Sequence, residues 1–483
     1  MLKNSVHTLF GILIFGVLFL HACRTISDTS SITETHPPDD AEAIDYDSLY
    51  FQGKWGGYLT RDVYDFPLEI KLQADTLLLD IPSIGIVKQA FNNIDYADGV
   101  VSTTKDDQVI NITPAGRDSI FINVPFEGGS KAILHRGKSR PKLRRPQSSI
   151  SPRSYTSEPV VFHNLHHDIS LAGTLSIPSS YSSAVICLSG SGPSDRDETI
   201  FGHKPFAVIA DYLSSHGVAV LRYDDRGVGE STGSQVGSTS FDFAIDASAA
   251  YQYVKDSFGD IPVGFLGHSE GGMIAQIADS IVGGASFHIY LASPGLDVID
   301  LMVEQNRLFF GAQIGQDQAD IYASGLKKVF SAVIDDGEVS DKQTKINHLA
   351  KALYNSLEPD QARKIAPNDM FYAMNMNALQ ANIWMLYFLR YQPKQYLSQM
   401  TCPILALNGS KDIQVVPANL EAIEQHASNA EVTTYEMPQM NHLMQRCITG
   451  QVKEYAIISE TINPTALDTM VSWLADRGWA EEL

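Results

Sequence analysis

The sequence predicts an α/β fold in which a mostly parallel, doubly wound sheet carries a helical insertion and is preceded by a small β-rich domain. From about residue 159 onward, short apolar runs typical of buried strands alternate with segments whose apolar residues recur at helical spacing. An interval at about residues 297–399 interrupts this alternation and carries helical patterns. Residues 46–136 instead show short alternating runs between turn signals, which favours a β-rich domain.

The length and the charge of the chain limit what it can do. It has 483 residues, of which 44% are hydrophobic and 19% are charged, the composition of a soluble globular protein. Because one hydrophobic core rarely serves more than about 250 to 300 residues, two domains are expected. The formal net charge is −21. A phosphate-binding surface needs an excess of Lys and Arg, so this charge argues against nucleic acid as a partner.

The N-terminus resembles a secretory signal peptide, predicted over residues 1–22. Lys3 precedes an apolar run, Leu9 to Leu20, that is shorter than the roughly 20 residues of a transmembrane helix. Ala22-Cys23 resembles the lipobox of bacterial lipoproteins, with His21 as a departure from the usual pattern. We therefore expect a lipid on Cys23, contact with the membrane through that lipid, and an extracytoplasmic location in the bacterial cell envelope. A plain cleaved signal peptide and an uncleaved membrane anchor are the alternatives.

Two segments are predicted to connect these regions. Residues 23–45 are rich in Ser, Thr, Asp and Pro and form a lipoprotein tether, since they bury little apolar surface. Residues 137–158 form a basic, Pro/Ser-rich linker between the β-rich domain, residues 46–136, and the α/β domain, residues 159–483. A solvated spacer is the simplest interpretation of this linker, and contact with an anionic membrane surface is the alternative. Within the β-rich domain, the Trp55–Tyr58 motif is interpreted as core and turn.

The α/β region contains predicted strands and helices in alternation. The strands are Ala184–Leu188, Val218–Tyr223, Ile261–Leu266, Phe287–Leu291, Pro403–Leu407 and Glu431–Tyr435, and the helices begin near Pro205, Phe241, Met273 and Ala418. An insertion after a strand lies over the edge where open α/β sheets bind ligands, so the interval at about 297–399 is predicted to be a cap. Its segment Met370 to Tyr391, dense in Met and aromatic residues, is expected to form cap core and part of an apolar pocket.

The motif Gly267-His268-Ser269-Glu270-Gly271 lies between a predicted strand and a predicted helix. In that context G-x-S-x-G indicates a nucleophile elbow, where the serine hydroxyl stands above the sheet edge and glycines relieve crowding at the bend. Serine alone is a poor nucleophile at neutral pH, so Ser269 needs a base and an orienting acid.

Two residues after later strands supply that base and acid. Asp412 follows the strand at Pro403–Leu407, and His442 follows the next strand, so both loops open at the edge that carries Ser269. The chain order Ser, Asp, His is the one expected after such an elbow. Asp297 is the alternative acid, and His268 is expected to point away from the hydroxyl.

Acyl transfer also needs hydrogen-bond donors for an oxyanion. The N–H of Glu270, directly after Ser269, is predicted to supply one of them. The segment Ser189–Pro193 follows a predicted strand and supplies the other, with the N–H of Ser191 preferred over that of Gly190. A flexible Gly-Ser turn is the alternative, whereas a P-loop is excluded because the segment has no Lys-Ser/Thr ending.

Taken together these motifs resemble the α/β-hydrolase superfamily. The resemblance is carried by Ser189–Asp197, Arg222–Ser231, Gly267–Gly272, Asn408–Asp412 and Asn441-His442. More narrowly, the chain resembles bacterial carboxylesterases with an N-terminal β-domain, whose relatives include serine aminopeptidases. The resemblance implies an α/β-hydrolase fold, a small-molecule ester substrate and an acyl-enzyme formed on Ser269. Where many relatives have His-Gly in the oxyanion loop, this chain has Ser189-Gly190.

No cofactor and no metal are expected, because no cluster of His or Cys has metal-ligand spacing. Apart from Cys23, the chain has Cys187, Cys402 and Cys447, an odd number that indicates no disulfide framework. Two other functions stay open from the residues alone: a peptidase or amidase of the same fold, and a non-catalytic surface-binding lipoprotein.

Overall fold

The computed structural model describes residues 48–483 except 62, 85, 106–107, 125–129 and 149–153. The predicted signal peptide, Cys23 and the tether lie outside the described residues. The chain divides into two compact units, Met1–Pro146 with Lys453–Ser459, and Gln147–Val452 with Glu460–Leu483. None of the helices in the described ranges is long and apolar enough to cross a membrane.

The described residues of the first unit form a nine-stranded antiparallel sheet after a short helix, α1. The elements are α1 Ser48–Phe51, β1 Gly53–Arg61, β2 Tyr64–Gln73, β3 Thr76–Ile81, β4 Ile86–Asn92, β5 Asp95–Ala97, β6 Val100–Lys105, β7 Gln108–Gly116, β8 Ser119–Val124 and β9 Ser130–Arg136. Their order is β4-β3-β2-β1-β9-β8-β7-β6-β5, so every pair except β1–β9 joins consecutive strands. Burial alternates along β3 and β8, as a sheet with one covered face requires.

The core of this unit contains Trp55, which is fully buried and donates its indole N–H to the carbonyl of Phe51 at 2.9 Å. The expected turn at Trp55–Tyr58 is wrong, because Gly56 and Gly57 lie inside β1. A Cβ on Gly57 would overlap the carbonyl oxygen of Ile133 on β9, so a glycine is needed there for close approach of the two strands.

Most of the described residues of the predicted linker, residues 137–158, are exposed, but part of it contacts the sheet of the first unit. Arg140 Nη1 lies 2.7 Å from Asp80 Oδ2 on β3, and the backbone N–H of Arg140 donates to Glu69 on β2 at 2.8 Å. The acidic side chains of the sheet therefore neutralise part of the basic segment. The last residues of the predicted linker, from Tyr155 onward, already belong to a strand of the second unit.

The first unit also includes a segment from late in the chain, Lys453–Ser459. The N–H of Asp65 donates to the carbonyl of Ile457 at 2.9 Å, and the hydroxyl of Tyr64 donates to Glu454 Oε1 at 2.7 Å. From the sequence, this segment is predicted to belong to the α/β domain, residues 159–483.

The second unit is built on an eight-stranded sheet ordered β10-β11-β13-β12-β14-β15-β16-β17. Its strands are β10 Tyr155–Asn164, β11 Ile169–Pro178, β12 Ser183–Leu188, β13 Val218–Tyr223, β14 Val263–His268, β15 Phe287–Leu291, β16 Ile404–Gly409 and β17 Val432–Met437. The strands from β13 to β17 are parallel, whereas β10 and β11 are antiparallel. Every residue of β12 to β16 is buried, which explains their continuous apolar runs.

Helices cover this sheet and extend into an insertion. They are α2 Pro205–Ser214, α3 Ser240–Phe258, α4 Glu270–Val282, α5 Val298–Ile314, α6 Gln316–Val333, α7 Val339–Ser356, α8 Pro359–Ile365, α9 Asp369–Ala378, α10 Ile383–Arg390, α11 Pro393–Leu397, α12 Ala418–His426 and α13 Pro464–Ala475. Helices α5 to α11 occupy the interval between β15 and β16 where the sequence predicts a cap. The predicted fold class, a doubly wound sheet with a helical insertion after a β-rich domain, is confirmed.

We expect Gly271→Ala to lower the free energy of unfolding by about 1–3 kcal/mol, because overpacking a tight site forces backbone shifts. A Cβ on Gly271 would overlap the carbonyl oxygen of Leu188 on β12. Urea denaturation followed by circular dichroism measures the change. Gly311 in α5 is the matched control, since the nearest atom to its Cβ would be 3.6 Å away. Gly311→Ala should leave stability unchanged or raise it, and equal losses in both variants would contradict the packing explanation.

Candidate active site

Ser269 lies at a strained turn between β14 and α4. Its backbone has φ 54° and ψ −123°, a left-handed conformation that costs a non-glycine residue about 1–3 kcal/mol. The N–H of Ser269 donates to the carbonyl of Leu291 at 2.9 Å, which ties the turn to β15. The serine is half-buried, whereas His268 and Glu270 on either side are buried. This is the strand, serine and helix arrangement of a nucleophile elbow.

Asp412 and His442 are in direct contact. His442 Nδ1 lies 2.8 Å from Asp412 Oδ2, and both side chains are buried. The other carboxylate oxygen of Asp412 accepts the backbone N–H groups of Gln414 and Val415, at 2.8 and 3.0 Å. The carboxylate is therefore held in one orientation and fixes the imidazole, and Nε2 of His442 has no hydrogen-bond partner among the described residues. The alternative acid, Asp297, precedes α5, and the structure pairs His442 with Asp412.

The loop of His442 and the elbow lie at the same edge of the sheet. The ring of His268 lies 4.8 Å from the ring of His442, measured between centroids. Among the described residues, no hydrogen bond joins the hydroxyl of Ser269 to the imidazole of His442. Catalytic hydrogen bonds are often long before a substrate binds. The structure thus joins Asp412 to His442 and places Ser269 at their edge, while the serine–histidine proton transfer stays a prediction.

In the predicted oxyanion loop, Ser189–Pro193, the two candidate N–H donors differ in their hydrogen bonds. The N–H of Gly190 is used, because it donates to Glu198 Oε1 at 2.7 Å. The N–H of Ser191 has no hydrogen-bond partner within the described ranges, and Glu270 begins α4, where backbone N–H groups have no helical acceptor. These contacts favour Ser191 and Glu270 over Gly190 as the donors.

The side chain of Glu270 connects the elbow to the cap. Its Oε1 accepts the hydroxyl of Ser240 at 2.6 Å and the indole N–H of Trp384, on α10, at 2.9 Å. Burial raises the pKa of Glu270, and the nearby hydroxyl of Ser191 and the hydrogen bonds from Ser240 and Trp384 oppose that shift. The sequence predicted a role only for the backbone of Glu270. Its side chain was missed because its partners lie far away in the chain.

Asp225, which follows β13, forms hydrogen bonds with the predicted oxyanion loop. Its Oδ1 accepts the hydroxyl of Ser189 at 2.9 Å, and its Oδ2 accepts the N–H of Ser194 at 3.0 Å and the amide of Gln235 at 3.1 Å. Burial raises the pKa of Asp225 to about 7. The bonded residues Ser189 and Ser194 lie before and after Ser191 in the chain. The protonation state of Asp225 therefore affects the hydrogen bonds that hold this loop in place.

We expect the stability of the protein to depend on pH through Asp225. Because its folded-state pKa is raised, folding favours the protonated acid. The contribution of Asp225 to the free energy of unfolding is largest below its ordinary pKa of about 4. The contribution falls as the pH rises from there and is lost once the pH has passed about 7. Asp225→Asn removes that loss, so the variant should gain stability relative to the parent between about pH 5 and about pH 8. Urea denaturation at both pH values measures this gain. A difference that is the same at both would contradict the shift.

One group of three side chains among the described residues could hold a metal ion: Asp279, His288 and Cys402. His288 Nε2 lies 3.0 Å from Asp279 Oδ1. His288 is near the start of β15 and Cys402 precedes β16, so the group lies at the end of the strands opposite to Ser269. It contributes nothing to the candidate active site. Within the described residues, Cys187, Cys402 and Cys447 form no disulfide bond.

Comparison with known families decides the classification. Residues 204–446, half of the chain, match the family described as serine aminopeptidase, S33. The chain belongs to the serine aminopeptidase S33 family. The matched region contains Ser269, Asp412 and His442, whereas Ser191 lies outside it. The predicted resemblance to α/β-hydrolases is confirmed.

This S33 member is also similar to several esterases. Esterase EstD of Thermotoga maritima is 24% identical over 366 residues, which cover 74% of this chain and 77% of that protein. An esterase structure from Pyrococcus furiosus aligns with a TM-score of 0.38 and 15% identity over 70% of this chain and 98% of that one. An esterase structure from Exiguobacterium antarcticum gives a TM-score of 0.37 and 15% identity over 66% and 100%.

Proposed function

We propose that this S33 protein is a serine hydrolase that cleaves carboxylic esters of small molecules through an acyl-enzyme. The observation that carries the proposal is the hydrogen bond between Asp412 and His442 at the sheet edge where Ser269 occupies a strained elbow. A buried carboxylate that orients an imidazole, next to a half-buried serine at a turn, is the arrangement that activates a hydroxyl. The similarity to Esterase EstD supports an ester as the substrate.

In the proposed mechanism, the Oγ of Ser269 attacks the acyl carbon of the ester while His442 Nε2 takes its proton. The N–H groups of Ser191 and Glu270 stabilise the oxyanion of the tetrahedral intermediate. His442 then returns the proton to the leaving alcohol, and the acyl group stays on Ser269. Water attacks this acyl-enzyme with His442 again as the base, which releases the acid and restores the serine. Asp412 stabilises the imidazolium throughout and keeps the required tautomer.

Amide cleavage is the second function, and the name of the family favours it. The same residues would act, but the leaving amine must be protonated by His442 before it departs. The choice is made by measuring kcat/KM for p-nitrophenyl esters of increasing acyl length and for aminoacyl p-nitroanilides, with Ser269→Ala as the control. We expect the esters to be cleaved faster. Faster cleavage of the anilides would identify a peptidase, and no cleavage of either would favour the surface-binding alternative.

We further propose that the protein is a lipoprotein of the cell envelope, anchored through Cys23. The support comes from the sequence alone, since Cys23 lies outside the described residues. Metabolic labelling with a fatty acid should mark the parent protein in membrane fractions and should be lost in Cys23→Ala. Labelling that persists in Cys23→Ala, or a parent protein without lipid, would contradict the proposal.

A further inference from the structure

The buried carboxylate of Glu198 accepts a hydrogen bond from the predicted oxyanion loop. Glu198 follows that loop and is 7% exposed. Its Oε1 accepts the N–H of Gly190 at 2.7 Å and lies 2.8 Å from Nδ1 of His268. Glu198 therefore connects the oxyanion loop to the residue directly before Ser269.

The ring of His268 continues this connection to the loop of His442. His268 Nε2 lies 3.0 Å from the carbonyl oxygen of His442, and Nδ1 lies against Glu198. A carboxylate and a carbonyl oxygen only accept hydrogen bonds. Because both ring nitrogens face acceptors, both must carry a proton for both bonds to form. With Glu198 ionised, the geometry therefore requires His268 to be an imidazolium, paired with the charge of Glu198.

The surroundings of His268 agree with this charge. The ring is 7% exposed, and burial alone would lower its pKa. The charge of Glu198 and its hydrogen bond, the carbonyl of His442 and the charge of Asp412 outweigh burial and raise the pKa of His268. The direction matches a ring that carries both protons.

We infer that Glu198 and His268 form a buried ion pair that sets the positions of the oxyanion loop and the His442 loop relative to Ser269. The inference rests on the proposed function, because it concerns how the proposed donors and base are held. Both are positioning residues, since the atoms they bond are backbone groups of Gly190 and His442. The three loops follow different strands, β12, β14 and β17, so this chain of hydrogen bonds is a direct connection among them.

Pairing the charge of His268 with that of Glu198 lets the ring hold both loops without placing an unpaired cation beside His442. A lone cation beside His442 would oppose formation of the second imidazolium during catalysis, whereas the carboxylate of Glu198 neutralises His268. If His268 lost a proton, one of its two bonds would break and one loop would be released. A displacement of about 1 Å in a catalytic geometry can cost about 10²-fold in rate.

The kinetic test compares Glu198→Gln with Asp279→Asn. Asp279 and His288 form another carboxylate–imidazole pair, away from Ser269, with His288 buried and Asp279 half-buried and with 3.0 Å between Asp279 Oδ1 and His288 Nε2. We expect Glu198→Gln to lower kcat by about 10²-fold with a smaller change in KM, because substrate binding does not need the pair. The control should keep the parent kcat. A parent kcat in folded Glu198→Gln, or equal losses in both variants, would overturn the inference.

The second measurement does not depend on turnover. In protein labelled with nitrogen-15 histidine, we expect one ring with two N–H protons at about pH 8, well above the ordinary histidine pKa of about 6.5. Its signal should be absent from His268→Asn and should titrate at lower pH in Glu198→Gln. A neutral His268 ring at that pH would overturn the inference even if the variants fail to fold. The proposed function is tested independently, because it would be contradicted by a Ser269→Ala variant that keeps its activity.

Discussion

Ser269→Ala is expected to lower kcat for ester hydrolysis by about 10⁶-fold, leaving only what binding and the oxyanion donors provide. The acyl-enzyme cannot form without the hydroxyl, and water has no equivalent position at the elbow. The fold should persist, because alanine adds no atom at a turn already held by the bond from its N–H to Leu291. Purified variant and parent protein are compared by initial rates on a p-nitrophenyl ester.

The matched control for this variant is Ser280→Ala, on α4, the helix that follows Ser269. The hydroxyl of Ser280 bonds to the carbonyl of Ile277 at 2.6 Å, within α4. That variant should keep the parent rate. Parent-level turnover by Ser269→Ala would show that another group is the nucleophile, and a loss in both variants would point to damage to the helix.

Asp412→Asn is expected to lower kcat by about 10⁴-fold, with a smaller effect on KM. The amide oxygen can still accept the N–H groups of Gln414 and Val415, so its NH₂ group faces His442 Nδ1. That donor favours the tautomer with its proton on Nε2, and the imidazole then cannot take the proton of Ser269. The pH profile of kcat/KM measures the change along with the rate.

Asp297→Asn supplies the control for this change, since Asp297 is the alternative acid in chain order. The structure places Asp297 directly before α5 and joins His442 to Asp412. We expect parent kinetics from Asp297→Asn. A large loss there, with little loss in Asp412→Asn, would reverse the assignment of the acid.

The features predictable from the sequence are those set by local patterns. Strands β12 to β16 are buried throughout, so each appears as an apolar run that ends where a loop begins. The predicted bounds of the strand Val218–Tyr223 and of the strand Phe287–Leu291 agree with the structure. Asp412 follows one of these runs and His442 follows β17, the partly exposed last strand of the sheet. The shared edge of parallel strands predicts their meeting.

The features that were missed depend on contacts between distant positions. Glu198 and His268 are 70 residues apart, and Glu270 and Trp384 are 114 apart. Neither pair has a periodic pattern or a motif that marks one residue as the partner of the other. The contacts of the basic segment after residue 136 were missed because its acidic partners, Glu69 and Asp80, lie on earlier strands.

Reaction with a fluorophosphonate tests the central claim most directly, because the probe forms a stable adduct only with an activated serine. We expect the native protein to gain one adduct, located on Ser269 by peptide mass spectrometry, and we expect Ser269→Ala to gain none. His442→Ala should react far more slowly. A folded native protein that does not react, or an adduct on a different serine, would contradict the account.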